Sequence, residues 1–461
     1  MPEATKEVPK RTGVTAEDFK QFITLLETLN RDTAGFHHSA PILEYVNQKS
    51  GLEMKLGLRE VAMLATVANV PILLIGPTGD GKTQFSLGLM YSFFGDDCGK
   101  LTIDPSLDQN KFRNIAPGQM AEGKWLGDVV KPAKIVTGKA VLMDEFNRAP
   151  AALVNALKSW LTLDQMEFDG GYACYPGVPF ENGNNGSGRF QLRIATINDG
   201  AEYGGTFDMD QADANRFGVK IDFKYFPTTD DDVRNIIREG GFSPHRKEKG
   251  QEEAIFQLNR ALKGMEIAPL TVEFLRFLSD MDNCFHSPEG TKRTISNFSA
   301  EFCQKAQCKA YASDASVCPN MFAPSSRQLI YLRKMSQAFA AYRLALNPNS
   351  SDKVEVQDII AMAPLVLSVK DLKLPGEWVV KTSEGSEMMA IKNAMNFAYG
   401  RFVGPIKANS ALFARETGGA ELTETEKRTL EDLVQTNPWA RPRAGSIEVF
   451  QKLHGFKRQV R

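Results

Sequence analysis

Eight residues constrain this chain more than any others. GPTGDGKT, Gly76 to Thr83, follows the apolar run VPILLI and precedes the helical pattern QFSLGLMYSFF. It fits G-x-x-x-x-G-K-[ST] in the strand–loop–helix setting that the pattern requires; the alternative, a chance Gly-rich turn, lacks that setting. Glycines let such a loop curl so that backbone amides face an anion, and the helix behind it adds its positive end. Gly76, Pro77, Thr78, Gly79, Asp80, Gly81, Lys82 and Thr83 are therefore the candidate phosphate cradle. Lys82 would reach the β- and γ-phosphates, and Thr83 would offer its hydroxyl to Mg²⁺. Asp80 is an anion inside an anion-binding loop, and its side chain is expected to point outward.

A loop of this kind hangs on a parallel sheet, and the sequence around it reads that way. Further apolar runs follow between helical segments: KLTID from Lys100, AVLMD from Ala140, QLRIATIN from Gln191 and GVKIDFKYF from Gly218. Strands alternating with helices predict a parallel sheet with helices on both faces. From about Thr229 the strand signal stops, and DDDVRNIIREGG, EEAIFQLNRALKGM, LTVEFLRFLSDM, SSRQLIYLRKMSQAFAAYRLAL and VEVQDIIAMAPLVLSV read as helices. Upstream, Thr15 is expected to cap a helix over AEDFKQFITLLETL. The divisions expected are 1–35, an N-terminal tail and helix; 36–228, the α/β nucleotide-binding domain; 229–372, a helical lid; and 373–461, a mixed extension with a basic tail. A length of 461 residues suits several domains.

The stretch MDEFNRAP, Met143 to Pro150, carries too much charge for a core. Asp144 lies 62 residues after Lys82 and closes an apolar strand, the place where ligands bind in an open parallel sheet. Asp144 is placed to hold Mg²⁺ through water, and Glu145 to polarise a water against the γ-phosphate; two solvated acids at a strand end are the plain alternative. Asn198 ends another apolar strand, where its amide could orient that water or simply form a turn. Arg216, in DANRFG, faces outward before the next strand, as a finger reaching a neighbouring subunit's nucleotide does. Arg327, in PSSRQL, sits in the first turn of a lid helix and could swing onto the γ-phosphate. Both arginines can also be read as ordinary surface residues.

These elements in this order resemble an AAA+ ATPase, and within that superfamily the MoxR group. The resemblance rests on MDEFNRAP with AALVNALKSWLTLDQMEF, then RIATIND, ADANRFGVKIDF, APSSRQLIYLRKMSQAFAAYR and VEVQDIIAMAPLVLSV, and covers roughly Phe36 to Lys373. It implies an AAA+ five-stranded parallel sheet with a helical lid, with ATP and Mg²⁺ as cofactors. Walker A falls on Gly76–Thr83, Walker B on Asp144 and Glu145, sensor 1 on Asn198, the arginine finger on Arg216 and sensor 2 on Arg327. It also implies a ring, most often a hexamer, and a client protein, with von Willebrand A-type proteins as frequent partners. Two inserted hairpins are implied, NIAPGQMAEGKWLGDVVK in the second helix and GGYACYPGVPFENGNNGSGRF before sensor 1. Trp125, Tyr172 and Tyr175 in them would face a pore or a partner, or else pack within the hairpins. The chain departs from the group at Asp80, at KPAKI in place of a Gly-Pro pair, and in a longer stretch from Cys284 to Met321. Other readings are an ATPase subunit of a metal-chelatase-like or restriction-type complex, and a nucleotide-stabilised scaffold. No N/T-K-x-D motif follows Walker B to support guanine specificity.

The rest of the sequence bounds compartment and partners. There are 55 basic and 56 acidic residues, a balance that argues against a dominant nucleic-acid footprint. MPEATKEVPKRTG has no apolar signal segment and no apolar run is long enough to span a bilayer, so the expected compartment is the cytoplasm. Cys284, Cys303, Cys308 and Cys318, with His286 near them, could hold a structural zinc, but no C-x₂-C knuckle is present and free cysteines are common core fillers. The basic stretch Arg441 to Arg461 could meet an acidic partner or be a solvated flank.

Overall fold

The computed structural model describes residues 14–36, 38–41, 43–47, 51–115, 130–168, 172–180, 188–198, 209, 211–239, 242–280, 323–408 and 422–429. The chain divides into two compact units. One comprises Met1–Met209, Arg216–Glu266 and Gln337–Val354; the other comprises Asp210–Asn215, Ile267–Ser336 and Glu355–Arg461.

The first unit opens with helix α1 (Gln21–Asp32), preceded by one short turn over Ala16–Phe19. Thr15 caps that turn, its amide and hydroxyl both donating to the Asp18 carboxylate at 2.8 and 2.9 Å. A hairpin of Leu43–Asn47 against Leu52–Leu56 comes next. Helix α2 (Leu58–Val67) leads into strand β1 (Ile72–Gly76) and helix α3 (Lys82–Phe94). Strands β2 (Cys98–Thr102) and β3 (Ala140–Asp144), helix α4 (Ala151–Thr162), and strands β4 (Leu192–Asn198) and β5 (Val219–Asp222) complete the α/β layer. Helices α5 (Asp230–Glu239) and α6 (Glu252–Leu262) follow.

The five strands form one sheet in the order β5-β1-β4-β3-β2, every pair parallel and flanked by helices. All five of the apolar runs that read as strands lie in it. Residues of β3 are buried throughout, as expected of a strand covered on both faces. On one side Leu73, Val141, Met143 and Ala195 meet Phe146, Leu157, Trp160 and Phe217 in a continuous core. Trp160 is fully buried, stands edge-on to Phe112 with ring centroids 5.2 Å apart, and donates its indole N–H to Gln191 Oε1 at 2.6 Å. The other end of that amide donates to the carbonyls of Val136 and Gly138 at 3.1 and 2.8 Å. A buried polar side chain therefore ties α4 to the entry of the sheet with its hydrogen bonds made, as burial demands.

The end of helix α3 meets the start of α6 through backbone at one point. The amide of Gln251 donates to the Phe93 carbonyl at 2.8 Å, and a Cβ on Gly250 would stand 2.3 Å from that same oxygen. Only glycine allows so close an approach.

Small antiparallel pairs decorate this unit. Arg113–Ile115 pairs with Val130–Pro132 at the base of the first expected insertion, between a helical turn over Gln109–Phe112 and another over Lys134–Thr137. Met166–Phe168 pairs with Tyr172–Cys174, and Val178–Pro179 with Arg189–Phe190, in the region of the second.

In the second unit, α7 (Pro269–Asp280), the start of α8 (Ser326–Leu346), α9 (Val356–Val366), α10 (Gly376–Ser383) and α11 (Glu387–Ala408) are all helical. Helix α11 packs on α7, α9 and α10. Phe274 lies against Tyr399 and Phe402, with ring centroids 5.5 and 5.8 Å apart, and forms the centre of that packing. The stretch after Lys373 that reads as mixed is thus helical as far as Ala408. Among the described residues no helix is long and apolar enough to cross a membrane.

Candidate active site

The loop between β1 and α3 is shaped by glycine. Gly79 and Gly81 have φ of +101° and +76°, a left-handed region that side chains disfavour. At Gly81 a Cβ would also stand 2.8 Å from the ring of Phe36, so that position is closed on two counts. Lys82, the first residue of α3, is buried, and its ammonium donates to the carbonyls of Gly76 and Pro77 at 2.7 and 2.6 Å. Burial lowers its pKa, while Asp80, Asp144 and Glu145 act in the opposite sense. Asp80 turns back along the loop, its Oδ2 lying 3.1 Å from where a Cβ of Gly76 would be, and it does not line the cleft described below.

Asp144 closes β3 and is 7% exposed. Its Oδ1 accepts the hydroxyls of Thr83 at 2.9 Å and Thr196 at 2.7 Å. Its Oδ2 meets the Lys100 ammonium at 2.7 Å. Burial by itself would raise this carboxyl, but Lys100, Thr196 and Thr83 together outweigh it and hold the pKa below the usual carboxylate value. The sheet register makes this meeting. Thr102 of β2 stands opposite Asp144, and Ala195 of β4 opposite Met143, which brings Thr196 up beside Asp144.

Glu145 follows in a left-handed conformation, φ +61°, ψ +46°, unusual for a residue with a side chain. Its amide donates to Thr196 Oγ1 at 3.0 Å, which fixes the turn from the β4 side. Its carboxylate pairs with Arg148 at 3.2 Å. Asn147 Nδ2 donates to the Asn198 carbonyl at 3.2 Å. Strand ends β3 and β4 are thereby laced together by the Glu145 amide and the Asn147 side chain of the segment that follows β3. In that segment Asn147 Oδ1 and Arg148 Nε are buried without a hydrogen-bond partner.

A cleft of about 390 Å³ opens over these strand ends, lined by Thr78, Gly79, Gly81, Lys82, Thr83, Gln84, Asp144, Glu145, Thr196 and Asn198. That volume lies within the usual range of small-ligand pockets, roughly 300–1,000 Å³. Thr83 and Asp144 put a hydroxyl and an anionic carboxylate 2.9 Å apart at its edge, hard oxygen donors of the kind Mg²⁺ takes alongside its waters. The donor set fits that ion. The structure thus brings Lys82, Thr83, Asp144, Glu145 and Asn198 together.

Arg216 lies elsewhere in the same unit, half-buried, its guanidinium donating to the Lys158 carbonyl of α4 at 3.4 Å. Arg327 is exposed in the first turn of α8, in the second unit. The turn around it is capped reciprocally: the Ser325 amide donates to Gln328 Oε1 at 2.8 Å and the Gln328 amide to Ser325 Oγ at 3.3 Å. Tyr175 donates its hydroxyl to Gln165 at 3.2 Å, and Tyr172 is in a paired strand. Trp125, the cluster Cys284, His286, Cys303, Cys308 and Cys318, and the basic stretch from Arg441 lie outside the described residues.

Lys100 and Thr196 escape a reading of the sequence. Both stand inside runs that read as plain strands, and only the pairing of β2 and β4 with β3 turns them toward Asp144.

No protein-family model matches this sequence. No curated protein matches it either. Among solved structures, a provisionally assigned ATPase from Cytophaga hutchinsonii superposes with a TM-score of 0.53 at 19% identity, over 82% of this chain and 96% of that one. The chain shares the fold of that structure, a five-stranded parallel sheet flanked by helices. An MCM homologue from Methanopyrus kandleri is similar at a TM-score of 0.40 and 14% identity, over 79% of this chain and 62% of that one.

Proposed function

We propose that this protein is an ATP-hydrolysing AAA+ ring protein that remodels or matures a client protein. The observation that carries the reading is the convergence of Lys82, Thr83, Asp144, Glu145 and Asn198 on one cleft at the ends of β1, β3 and β4. In this reading the loop amides and Lys82 cradle the phosphates, Lys82 exchanging the Gly76 and Pro77 carbonyls for phosphate oxygens. Thr83 and Asp144 hold Mg²⁺, which when bound neutralises charge on the phosphate oxygens. Glu145 polarises the attacking water and Asn198 orients it. Arg216 answers to a neighbouring subunit's nucleotide, and Arg327 to the γ-phosphate. The finer placing in the MoxR group, a hexameric ring and a von Willebrand A-type partner rest on the sequence resemblance.

Glu145→Gln tests the chemistry. The amide keeps size and shape but cannot take a proton, so the variant is expected to bind ATP as the wild type does and to turn it over at least about 100-fold more slowly. Equilibrium nucleotide binding and steady-state phosphate release measure the two. Turnover at the wild-type rate would remove Glu145 from the mechanism. The same variant, held with ATP, is the form in which a client is to be captured.

A further inference from the structure

Asp144 is already engaged on both oxygens within its own chain. A carboxylate offers about four acceptor positions. Here Oδ1 takes two hydroxyls, from Thr83 and Thr196, and Oδ2 takes the ammonium of Lys100 at 2.7 Å. The two hydroxyls fix the orientation of the group. Lys100 reaches it diagonally, from a β2 position opposite Leu142, across to the end of β3. The Asp144 side chain is 10% exposed and that of Lys100 is 38% exposed, so the ammonium has a way out to water that the carboxylate lacks. Lysine is suited to such a move, being a point charge on a flexible stem with no fixed fork to lose.

We propose that Lys100 is a resident counter-cation of Asp144, which Mg²⁺ must work against to settle beside Thr83, and that it thereby sets how much free Mg²⁺ the site requires. The inference rests on the nucleotide-binding reading above. Its physical content is charge competition: two cations beside one buried carboxylate repel each other in a medium that screens poorly. Removing the lysine leaves Asp144 with its full negative charge and with Oδ1 still held by two hydroxyls. Metal binding then tightens. A residue that merely braced Asp144 would act the other way, since its loss would loosen the carboxylate and weaken metal binding.

The opposite signs make the test. Free Mg²⁺ is titrated against binding of a fluorescent ATP analogue, read by anisotropy, in the full chain carrying Glu145→Gln so that no hydrolysis intervenes. Lys100→Met and Lys100→Gln are each expected to lower the half-saturating Mg²⁺ by about fivefold, and charge-keeping Lys100→Arg to leave it within about twofold. An unchanged or raised Mg²⁺ requirement in the Met or Gln variant, in whichever folds, overturns the proposal while the nucleotide-binding reading stands. A parent chain that binds no nucleotide at any Mg²⁺ concentration overturns both.

Discussion

At the scale of the residue, the site depends on Thr196 as much as on the acids themselves. Its hydroxyl donates to Asp144 Oδ1 at 2.7 Å and accepts the Glu145 amide at 3.0 Å, so one buried oxygen sets both the Asp144 carboxylate and the turn that presents Glu145. Thr196→Val keeps the shape and deletes both bonds. The part-buried Glu145 amide is left without its acceptor, and stability is expected to fall by about 1 kcal/mol. ATP turnover is expected to fall further than ATP affinity, because the phosphate cradle does not involve Thr196. Thermal melts and separate measurements of kcat and nucleotide binding check this; an unchanged kcat would show that Glu145 keeps its place without the hydroxyl. Why the acids were legible in the sequence and Thr196 was not is a matter of contrast. Asp144 and Glu145 break an apolar run and announce a strand end, whereas a threonine inside RIATIN looks like any β-branched strand residue. Its function comes from a register with β3, some fifty positions away, that no local pattern encodes.

At the scale of the element, the strands and helices that frame the loop follow closely from the sequence because each carries its own signal. AVLMD matches β3, Ala140–Asp144, and the helical runs after Thr229 match α5 to α9 within their ends. The hairpin Leu43–Asn47 with Leu52–Leu56 is a different case. Its alternation is present, with Leu52, Met54 and Leu56 on one side, but five residues per strand are too few to separate a period of two from a helical one. Helix α11 was hidden by Gly400, Gly404 and Pro405, residues that read as breaks yet lie within its Glu387–Ala408 span. The loop between β1 and α3 is the element whose shape is most exactingly specified. Gly81→Ala combines a left-handed backbone with a methyl 2.8 Å from the Phe36 ring. A cost of about 1–2 kcal/mol in the loop's own conformation is expected, and with it roughly a tenfold loss of nucleotide affinity. Isothermal titration with ATP measures it; an affinity equal to the wild type would mean that the loop rebuilds itself around the methyl.

At the scale of the whole molecule, the proposed ring makes its sharpest prediction through Arg216. In its own chain this side chain donates to the Lys158 carbonyl at 3.4 Å and does not line the cleft. If it serves a neighbour's nucleotide, Arg216→Ala subunits are expected to bind ATP without hydrolysing it. Mixing them with Lys82→Ala subunits, which keep the arginine and lack the phosphate contact, is expected to restore phosphate release. Mixtures as inactive as either parent would place the arginine's action within its own subunit. The sequence shows where such an arginine falls in the chain but cannot show which subunit it serves, since that depends on surfaces brought together only by assembly. The backbone joint at Gly250, where a Cβ would come within 2.3 Å of the Phe93 carbonyl, leaves no room at that point for a side chain to act as a cushion between the end of α3 and the start of α6. A cushion would absorb small displacements by changing rotamer; bare backbone in contact cannot. At that point a shift of α3 relative to α6 must be taken up by the backbone itself, with no rotamer change available to absorb it.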